Sequence, residues 1–242
     1  MAPTNIKPIT VYGHYLPFPN PPKVFILLKL LGIPYNHVMK VASDDPTLED
    51  GIKHPNFTSI NPNGRVPAIA DPNNNNFHVW ESGAILQYLA EIYDTDHKFS
   101  GKTVEERSMI NQWIAFQISG QAPMSGQLIW FSVPQGHLLK YGEKTPDHVL
   151  LRFRNEVRRI YSVFNAHLEQ QKAKGSDWIV GDRMTIADIA WAPWTRTMIY
   201  MPTYDPTFYD EFPAVKAWFA KMEAIPAVQE TIAELTAPAP KN

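Results

Sequence analysis

The N-terminal part of the chain alternates short apolar runs with an amphipathic stretch, which predicts a small sheet with a crossover helix. Residues 9–12 are β-branched or aromatic and end at a glycine, as is typical of a buried strand. From Lys23, apolar residues recur at the i, i+3, i+4, i+7 spacing of a core-facing helix, which Gly32 and Pro34 end. A second strand is expected at 35–39. Strand, helix and strand this close together predict a βαβ unit with parallel pairing.

A hairpin and then purely helical periodicity follow along the chain. Residues 66–69 and 77–80 are short strand candidates on either side of the asparagine-rich turn at 71–76. From Ser82 the apolar period becomes helical, and no further strand is predicted. Helical spacing recurs at Met109, Ile110, Trp113, Ile114, Phe153, Val157, Ile160, Phe164 and Leu168. We therefore predict an α+β chain, with a βαβ-ββα half followed by an all-α helical bundle.

A polar segment separates the two predicted halves. Residues 94–103 contain a glycine and are the best linker candidate. We therefore predict one domain at 6–94 and an all-helical domain at 104–235. Within the second domain, residues 185–188 have the spacing of a capping box, which predicts a helix start near Thr185.

Composition narrows the function classes. With 242 residues, 44% of them hydrophobic and 19% charged, the chain is long enough for a sizeable core. Its formal net charge of −2, without a basic stripe, argues against a nucleic-acid partner. No apolar run approaches the roughly 18 residues of a membrane span, and the N-terminus lacks the features of a secretory signal, so we expect a soluble, cytoplasmic protein without a membrane partner. Because the chain has no cysteine, thiol chemistry would need a thiol that arrives as a ligand.

The first segment that can carry chemistry is HYLPFPNPPKV. Asn20 precedes Pro21 and Pro22, which fits a helix N-cap followed by proline at the first helical position. Alternatively, the positive end of this helix faces an anion. Because the two prolines donate no N–H, the Asn20 amide is then the obvious donor.

Three further segments also have both a structural and a functional interpretation. Residues 61–67 form a turn followed by an extended Val-Pro dipeptide, whose peptide bond is compatible with the cis form. At Ser82 a strand runs into a helix, so its hydroxyl is either an N-cap or, with Glu81, a group that binds a ligand carboxylate and ammonium. Residues 120–131 interrupt a helical tract with glycine and proline. The interruption is either a kink or one wall of a pocket lined by aromatic and amide side chains.

Taken together and in this order, these segments resemble a known family. The stretches NPNGRVPAI and ESGAILQYLAE, followed by QWIAFQISGQAPMSGQ and WIVGDRMTIADIAWAPW, resemble glutathione transferases of the fungal nitrogen-regulator-like (yeast prion protein) type and their bacterial nu-class relatives. The resemblance covers about residues 8–232. It implies a thioredoxin-like domain that binds glutathione, a helical domain that contributes the electrophile pocket, glutathione as co-substrate or recycled cofactor, no metal, and a homodimer.

The resemblance also implies roles for individual residues. The backbone of Val66, before a cis Pro67, would pair with the cysteinyl part of glutathione, while Glu81 and Ser82 would hold the γ-glutamyl ammonium and carboxylate. Asn20 would lie near the sulfur as the catalytic residue, activating the thiolate without a protein general base. The expected glutathione-binding residues are Asn20, Lys53, His54, Arg65, Val66, Pro67, Glu81, Ser82 and Arg152.

The chain departs from the family pattern at two places. Many relatives have a hydroxyl residue three or two positions before the asparagine, where this chain has Pro17 and Phe18. Where relatives have histidine or glutamine near the glycine end of glutathione, this chain has Ile52. Lys53 or His54 must then serve the glycine carboxylate, and both alternatives stay open.

Apolar side chains near the expected sulfur favour a hydrophobic organic electrophile as second substrate. The resemblance, whose fungal members include some in secondary-metabolite pathways, implies a role in fungal secondary metabolism. The candidate pocket residues are Tyr15, Phe18, Met124, Gln127, Trp130, Phe131 and Trp194. Three alternatives stay open beside conjugation. They are cis–trans isomerisation by reversible thiol addition to a conjugated double bond, glutathione-dependent disulfide reduction, and a non-enzymatic glutathione-binding regulatory module.

Overall fold

The computed structural model of the chain describes residues 6–14, 18–200 and 207–237. The described residues group into two compact units, one from those up to Ser100 together with those from Glu223 onward, the other from Gly101–Met222. The predicted domain limits, 6–94 and 104–235, differ from these units at the C-terminal end, where the last helix belongs to the first unit.

The elements follow the predicted order of a βαβ unit, a hairpin and then helices. In chain order they are β1 (Ile9–Gly13), α1 (Pro21–Leu31), β2 (Tyr35–Met39), α2 (Pro55–Thr58), β3 (Ala68–Asp71), β4 (Phe77–Trp80), α3 (Ser82–Tyr93), α4 (Val104–Phe116), α5 (Ala122–Ser132), α6 (Leu139–Tyr141), α7 (Asp147–Ala173), α8 (Ile186–Tyr200), α9 (Pro213–Glu223) and α10 (Pro226–Thr236). The α+β prediction is confirmed.

The four strands form one mixed sheet in the order β2-β1-β3-β4. β1 pairs in parallel with β2 across the crossover helix, while the β1–β3 and β3–β4 pairs are antiparallel. Every residue of the central strand β3 is buried, whereas the edge strands β2 and β4 are partly exposed. The predicted strand at 66–69 begins later, at Ala68, because Pro67 has no N–H to donate to the sheet.

Helix α1 begins at Pro21, two residues earlier than its apolar spacing predicts. Asn20 occupies the N-cap position, as expected, but its side chain makes no capping hydrogen bond to the helix. At the other end, Gly32 adopts a left-handed conformation, with φ 67°, and its N–H bonds the carbonyls of Leu28 and Lys29. A residue with a Cβ is strained in that conformation, which explains the glycine there.

The asparagine-rich turn between β3 and β4 is held by a buried carboxylate. Asn75 and Asn76 have positive φ values of 52° and 55°, which asparagine tolerates better than most residues. The Asp71 carboxylate accepts hydrogen bonds from the hydroxyls of Tyr88, at 2.8 Å, and Tyr93, at 2.6 Å. The hairpin is thereby tied to helix α3.

Helix α10 is joined to the first unit by a shared carboxylate. Glu234 accepts a 2.6 Å hydrogen bond from the Tyr35 hydroxyl and forms a 2.9 Å ion pair with Lys29. The helix packs against α1. These contacts explain why the last helix does not group with the other late helices.

The helical unit is organised around a buried carboxylate at the start of α8. Asp188 accepts hydrogen bonds from the backbone N–H groups of Thr185, at 2.8 Å, and Ile179, at 3.0 Å, and from Trp218 Nε1 at 2.9 Å. Burial raises the pKa of the Asp188 carboxyl to about 6, and these hydrogen bonds act in the opposite direction. The predicted capping box and helix start near Thr185 are confirmed.

The interruption near residue 120 is a π-helical turn, Gln117–Gln121, between α4 and α5. The extra residue of this turn points Gln121 into the core, where its amide donates to the Tyr161 hydroxyl and Thr195 Oγ1, both at 3.1 Å. The predicted interruption of the helical tract is therefore present in the backbone as a π-helical turn.

We expect Asp188→Ala to destabilise the protein by about 3 kcal/mol or more, because it strands several buried N–H donors. Urea unfolding at neutral pH measures the change. Asp182→Ala is the matched control, since that side chain is 92% exposed, and it should stay within about 0.5 kcal/mol of the parent. A loss below about 1 kcal/mol for Asp188→Ala would contradict the assigned role.

Candidate functional site

Sheet register brings three chain segments to one edge of the first unit. Tyr12, near the end of β1, pairs with Ala68 at the start of β3, and Ala68 pairs with Trp80 at the end of β4. The loop after β1, the residues before β3 and the residues after β4 therefore emerge together. These segments contain Asn20, the Val66–Pro67 dipeptide and the Glu81–Ser82 pair.

A hydrogen bond joins the start of α1 to the start of α3. Lys23 Nζ donates to Ser82 Oγ at 3.2 Å, and both residues are buried. Asn20 lies half-buried one position before α1. The proposed sulfur-side and glutamyl-side residues thus belong to directly connected helix ends.

Lys23 lies at the same edge of the sheet, but it was assigned no role in the site from the sequence. There it was only the first residue of a helical pattern. Its side chain is 1% exposed. Burial lowers the pKa of Lys23 to about 7, and the charge of Glu81 acts in the opposite direction. A cation in the first turn of a helix also opposes the helix dipole, and this sequence signal would have singled the lysine out.

Glu81 has an unusual backbone conformation. Its φ is 70° and its ψ 117°, outside the regions that non-glycine residues normally occupy. Glu81 holds the N-cap position of α3, so the interpretation of Ser82 as N-cap is wrong, and Ser82 is the first helical residue instead. The Glu81 side chain is exposed, with Asn63 Nδ2 at 3.5 Å from its Oε1. Strained residues of this kind cluster at functional sites.

The loop before β3 is shaped by its own asparagines. The buried Asn61 donates from Nδ2 to the carbonyl of Arg65 at 2.6 Å and accepts from the N–H of Asn63 at 3.0 Å. The Val66–Pro67 bond is cis, as the resemblance implied. Arg65 is exposed and Val66 half-buried.

Lys53 and His54, the two candidates for the glycine carboxylate, both have structural partners. Lys53 Nζ donates to the carbonyls of Asn63, at 3.0 Å, and Gly64, at 3.2 Å, which ties it to the loop before β3. His54 Nδ1 accepts from the N–H of Asn56 at 3.3 Å and caps α2. Ile52 is buried in an apolar cluster, so a neighbour must serve any ligand there.

The remaining candidates of the first unit are less defined. Tyr15 lies outside the described residues, as does Pro17. The Phe18 side chain is 49% exposed, with its ring edge-on to His14 at 5.5 Å between centroids.

The helical unit holds the other predicted pocket residues on α5 and α8. Trp194 is buried against Gly126, where a Cβ would come within 3.3 Å of the indole. Phe131 stacks on Phe153 at 5.4 Å between ring centroids. Met124 is half-buried, whereas Gln127 and Trp130 are exposed. Their role in a pocket stays a prediction.

Arg152 lies on α7 with its side chain 65% exposed and Nη1 3.8 Å from a Glu156 carboxylate oxygen. The structure therefore leaves the guanidinium largely in solvent, and its predicted role stays a prediction.

Two negative findings apply to the described part of the chain. Residues 6–14, 18–200 and 207–237 contain no cluster of three or more acidic or histidine side chains that is suited to a metal ion. Over the same residues, no helix combines the length and the apolar character that crossing a membrane requires.

Both halves of the chain match models of one protein family. Residues 19–92 match the model "Glutathione S-transferase, N-terminal domain", and residues 128–226 match "Glutathione S-transferase, C-terminal domain". The N-terminal match contains the three segments that meet at the sheet edge, from Asn20 to Ser82.

Similar proteins are found among fungi. A glutathione S-transferase-like protein of Aspergillus fumigatus, tpcF, is 37% identical over 96% of this chain and 97% of its own. Glutathione transferase Ure2p6 of Phanerochaete chrysosporium, solved in complex with oxidised glutathione, superposes with a TM-score of 0.80 at 36% identity, over 95% of this chain and 96% of the other. Ure2p5 of the same fungus, cocrystallised with 1-(S-glutathionyl)-2,4-dinitrobenzene, has a TM-score of 0.77 at 33% identity, over 96% of each chain.

We expect Glu81→Gly to be more stable than Glu81→Ala by about 1 kcal/mol, because glycine adopts a positive φ without the Cβ clash. Urea unfolding of the two variants measures the difference. Glu91, exposed in the last turn of α3, is the matched control. Glu91→Gly should be less stable than Glu91→Ala, since glycine within a helix lowers stability by about 1 kcal/mol relative to alanine. Equal stability of the two Glu81 variants would show that this conformation is not strained.

Proposed function

Because this chain belongs to the glutathione transferase family, we propose that it binds glutathione along the sheet edge and directs the thiolate at a hydrophobic organic electrophile. The observation that carries the proposal is the strand register, which brings the residues before β3 and after β4 beside the start of α1. Family membership supplies the ligand class, and the register supplies one continuous edge for an extended tripeptide.

The glutamyl end of the ligand fits the groups at the start of α3. Glu81 is exposed and offers a carboxylate to an ammonium, while the Ser82 hydroxyl, backed by the Lys23 ammonium at 3.2 Å, suits a carboxylate. The backbone N–H groups of the first helical turn add donors for an anion. The γ-glutamyl group carries both charges on one carbon, and these neighbouring residues match that pair.

The sulfur would lie toward the start of α1, with the Val66 backbone pairing with the cysteinyl residue. When bound, glutathione supplies the nucleophilic thiolate that this chain lacks. A free thiol has a pKa of about 8.5, and each unit by which the pKa is lowered needs about 1.4 kcal/mol of preferential thiolate stabilisation. The stabilisation that a helix N-terminus and one amide hydrogen bond from Asn20 provide is large enough to lower the thiol pKa by about one to two units. Lys53 or His54 would hold the glycine carboxylate, with Arg65 and Arg152 as further candidates.

The second substrate is proposed to be apolar. Phe18 is exposed, and no hydroxyl side chain stands at positions 17 and 18 to favour a polar partner. The aromatic residues of α5 and α8 remain the candidates for contact with it. A relative crystallised with a dinitrobenzene conjugate supports an aryl electrophile. We place this activity in fungal secondary metabolism, and the homodimer and cytoplasmic location stay predictions.

Disulfide reduction is the second candidate function. A relative was solved with oxidised glutathione, which supports binding of a disulfide at the same kind of edge. Isomerisation needs only that the thiolate adds to a conjugated double bond and leaves again, so the same residues would serve it.

A substrate panel tests the reaction class. We expect turnover of 1-chloro-2,4-dinitrobenzene with consumption of glutathione, because the thiolate displaces chloride from an apolar ring. Release of reduced thiol from hydroxyethyl disulfide, without any conjugation, would instead establish a disulfide reductase. Isomerisation of maleylacetone without net loss of glutathione would establish the isomerase, and tight glutathione binding without any turnover the regulatory module. Absence of glutathione binding in calorimetry would overturn the proposal as a whole.

Asn20→Ala is expected to raise the pKa of the bound thiol by about one unit, since it removes the amide donor to the thiolate. Conjugation should then be about tenfold slower below the parent thiol's pKa and recover at high pH, where the thiol ionises without help. Ultraviolet absorbance of the bound thiolate against pH measures the shift. Asn36→Ala, at an exposed position of the edge strand β2, is the control. An unchanged thiol pKa and rate in Asn20→Ala would remove Asn20 from the mechanism.

A further inference from the structure

Lys23 lies in the first turn of α1 and is among the largest fully buried side chains of the described residues. Its ammonium donates to Ser82 Oγ at 3.2 Å, across 59 positions of sequence. Neither the strand register nor the apolar packing of α1 against α3 requires a charge there. A methionine would fill the same volume without desolvating an ion.

The free protein is a poor environment for this cation. Burial lowers the pKa of Lys23 to about 7, and the charge of Glu81 acts against that shift. The positive end of the helix dipole further disfavours the protonated form of the lysine. On the helices that pack against α1, Glu234 of α10 pairs with a different lysine, and Glu230 and Glu91 are exposed. Among the described residues, Glu81 is a carboxylate whose charge acts on Lys23.

The charge of the lysine decides which way the Ser82 hydroxyl points. An ammonium is a donor without a lone pair, so Ser82 Oγ must accept from it and keeps its own hydrogen for another acceptor. A neutral amine has a lone pair and accepts the hydroxyl hydrogen instead. The protonated lysine thus presents the Ser82 O–H outward, and the neutral lysine turns it inward.

We propose that Lys23 is a positioning residue for the glutamyl carboxylate of glutathione, because it turns the Ser82 hydroxyl toward that carboxylate and places a positive charge behind it. The inference rests on the proposed glutathione site. It implies that, at a pH where Lys23 is neutral in the free protein, binding of glutathione is accompanied by protonation of Lys23. Affinity therefore stays constant at pH values below about 7 and falls as the pH rises above that value.

Calorimetric titration of the full chain with S-methylglutathione tests the inference, since this thioether has no thiol to ionise. We expect the affinity to fall about tenfold between about pH 6 and pH 8. At the higher pH, which is about one unit above the pKa of Lys23 in the free protein, only about a tenth of the lysine is still protonated. In Lys23→Met the affinity should be weaker at the lower pH, and the pH dependence should vanish. Lys29→Met, at the other end of α1 and paired with Glu234, should keep the parent's pH dependence.

Because His54 is a ligand candidate and carries an ionisable ring, proton uptake is measured in His54→Gln as well, from binding enthalpies in two buffers of different ionisation enthalpy. Uptake approaching one proton at about pH 8 that persists in His54→Gln supports Lys23, and this reading does not require Lys23→Met to fold. Uptake that disappears in His54→Gln, or is absent from the parent, overturns the inference.

Thermal unfolding separates positioning from a structural role. Lys23→Met should unfold at the same temperature as the parent or a higher one, since it removes a buried charge. A lower unfolding temperature combined with unchanged affinity would mean that Lys23 serves the fold alone. If the parent does not bind S-methylglutathione at all, the proposed function fails. If the parent binds and Lys23→Met matches it in affinity and pH dependence, only this inference fails.

Discussion

Within the four-stranded sheet, Tyr12 pairs with Ala68 and Ala68 with Trp80, and the candidate site depends on this register. A shift of β3 by one residue would send each of its side chains to the opposite face and take the buried Asp71 carboxylate away from the Tyr88 and Tyr93 hydroxyls. The loops that follow β1 and β4 and precede β3 must therefore share one edge. The site is a consequence of packing the sheet, and its side chains come from segments that are otherwise unrelated in sequence.

The two buried ionisable side chains Asp188 and Lys23 have very different surroundings. Asp188 is surrounded by N–H donors from the turn before α8 and from Trp218, so its carboxylate organises the helical unit. Lys23 is buried in the other unit, where its ammonium donates to a serine hydroxyl and the charge of the exposed Glu81 offsets only part of the effect of burial. The first arrangement is what a stable core needs. The second keeps a cation close to where an anionic ligand would bind, together with a strained backbone at Glu81.

The expected departure from the family pattern at Ile52 has a structural counterpart. Ile52 fills the apolar cluster with Phe57 and Ala68. The polar neighbours that remain, Lys53 and His54, contact the loop before β3 and the start of α2. A glycine carboxylate would therefore meet groups that already shape the site, which couples ligand contact at that end to the conformation of the loop.

The sequence alone determined the elements whose signals are local. Residue spacing predicted the βαβ unit and the hairpin, the asparagines marked the turn after β3, and the lack of cysteine required any reactive thiol to come from a ligand. Only the tertiary structure decided that Lys23 is buried, that Glu81 has a positive φ and that α10 joins the first unit. Each of these depends on contacts between residues distant along the chain. A propensity or a spacing is set by near neighbours, whereas the charge state of a lysine is set by whatever the fold places around it.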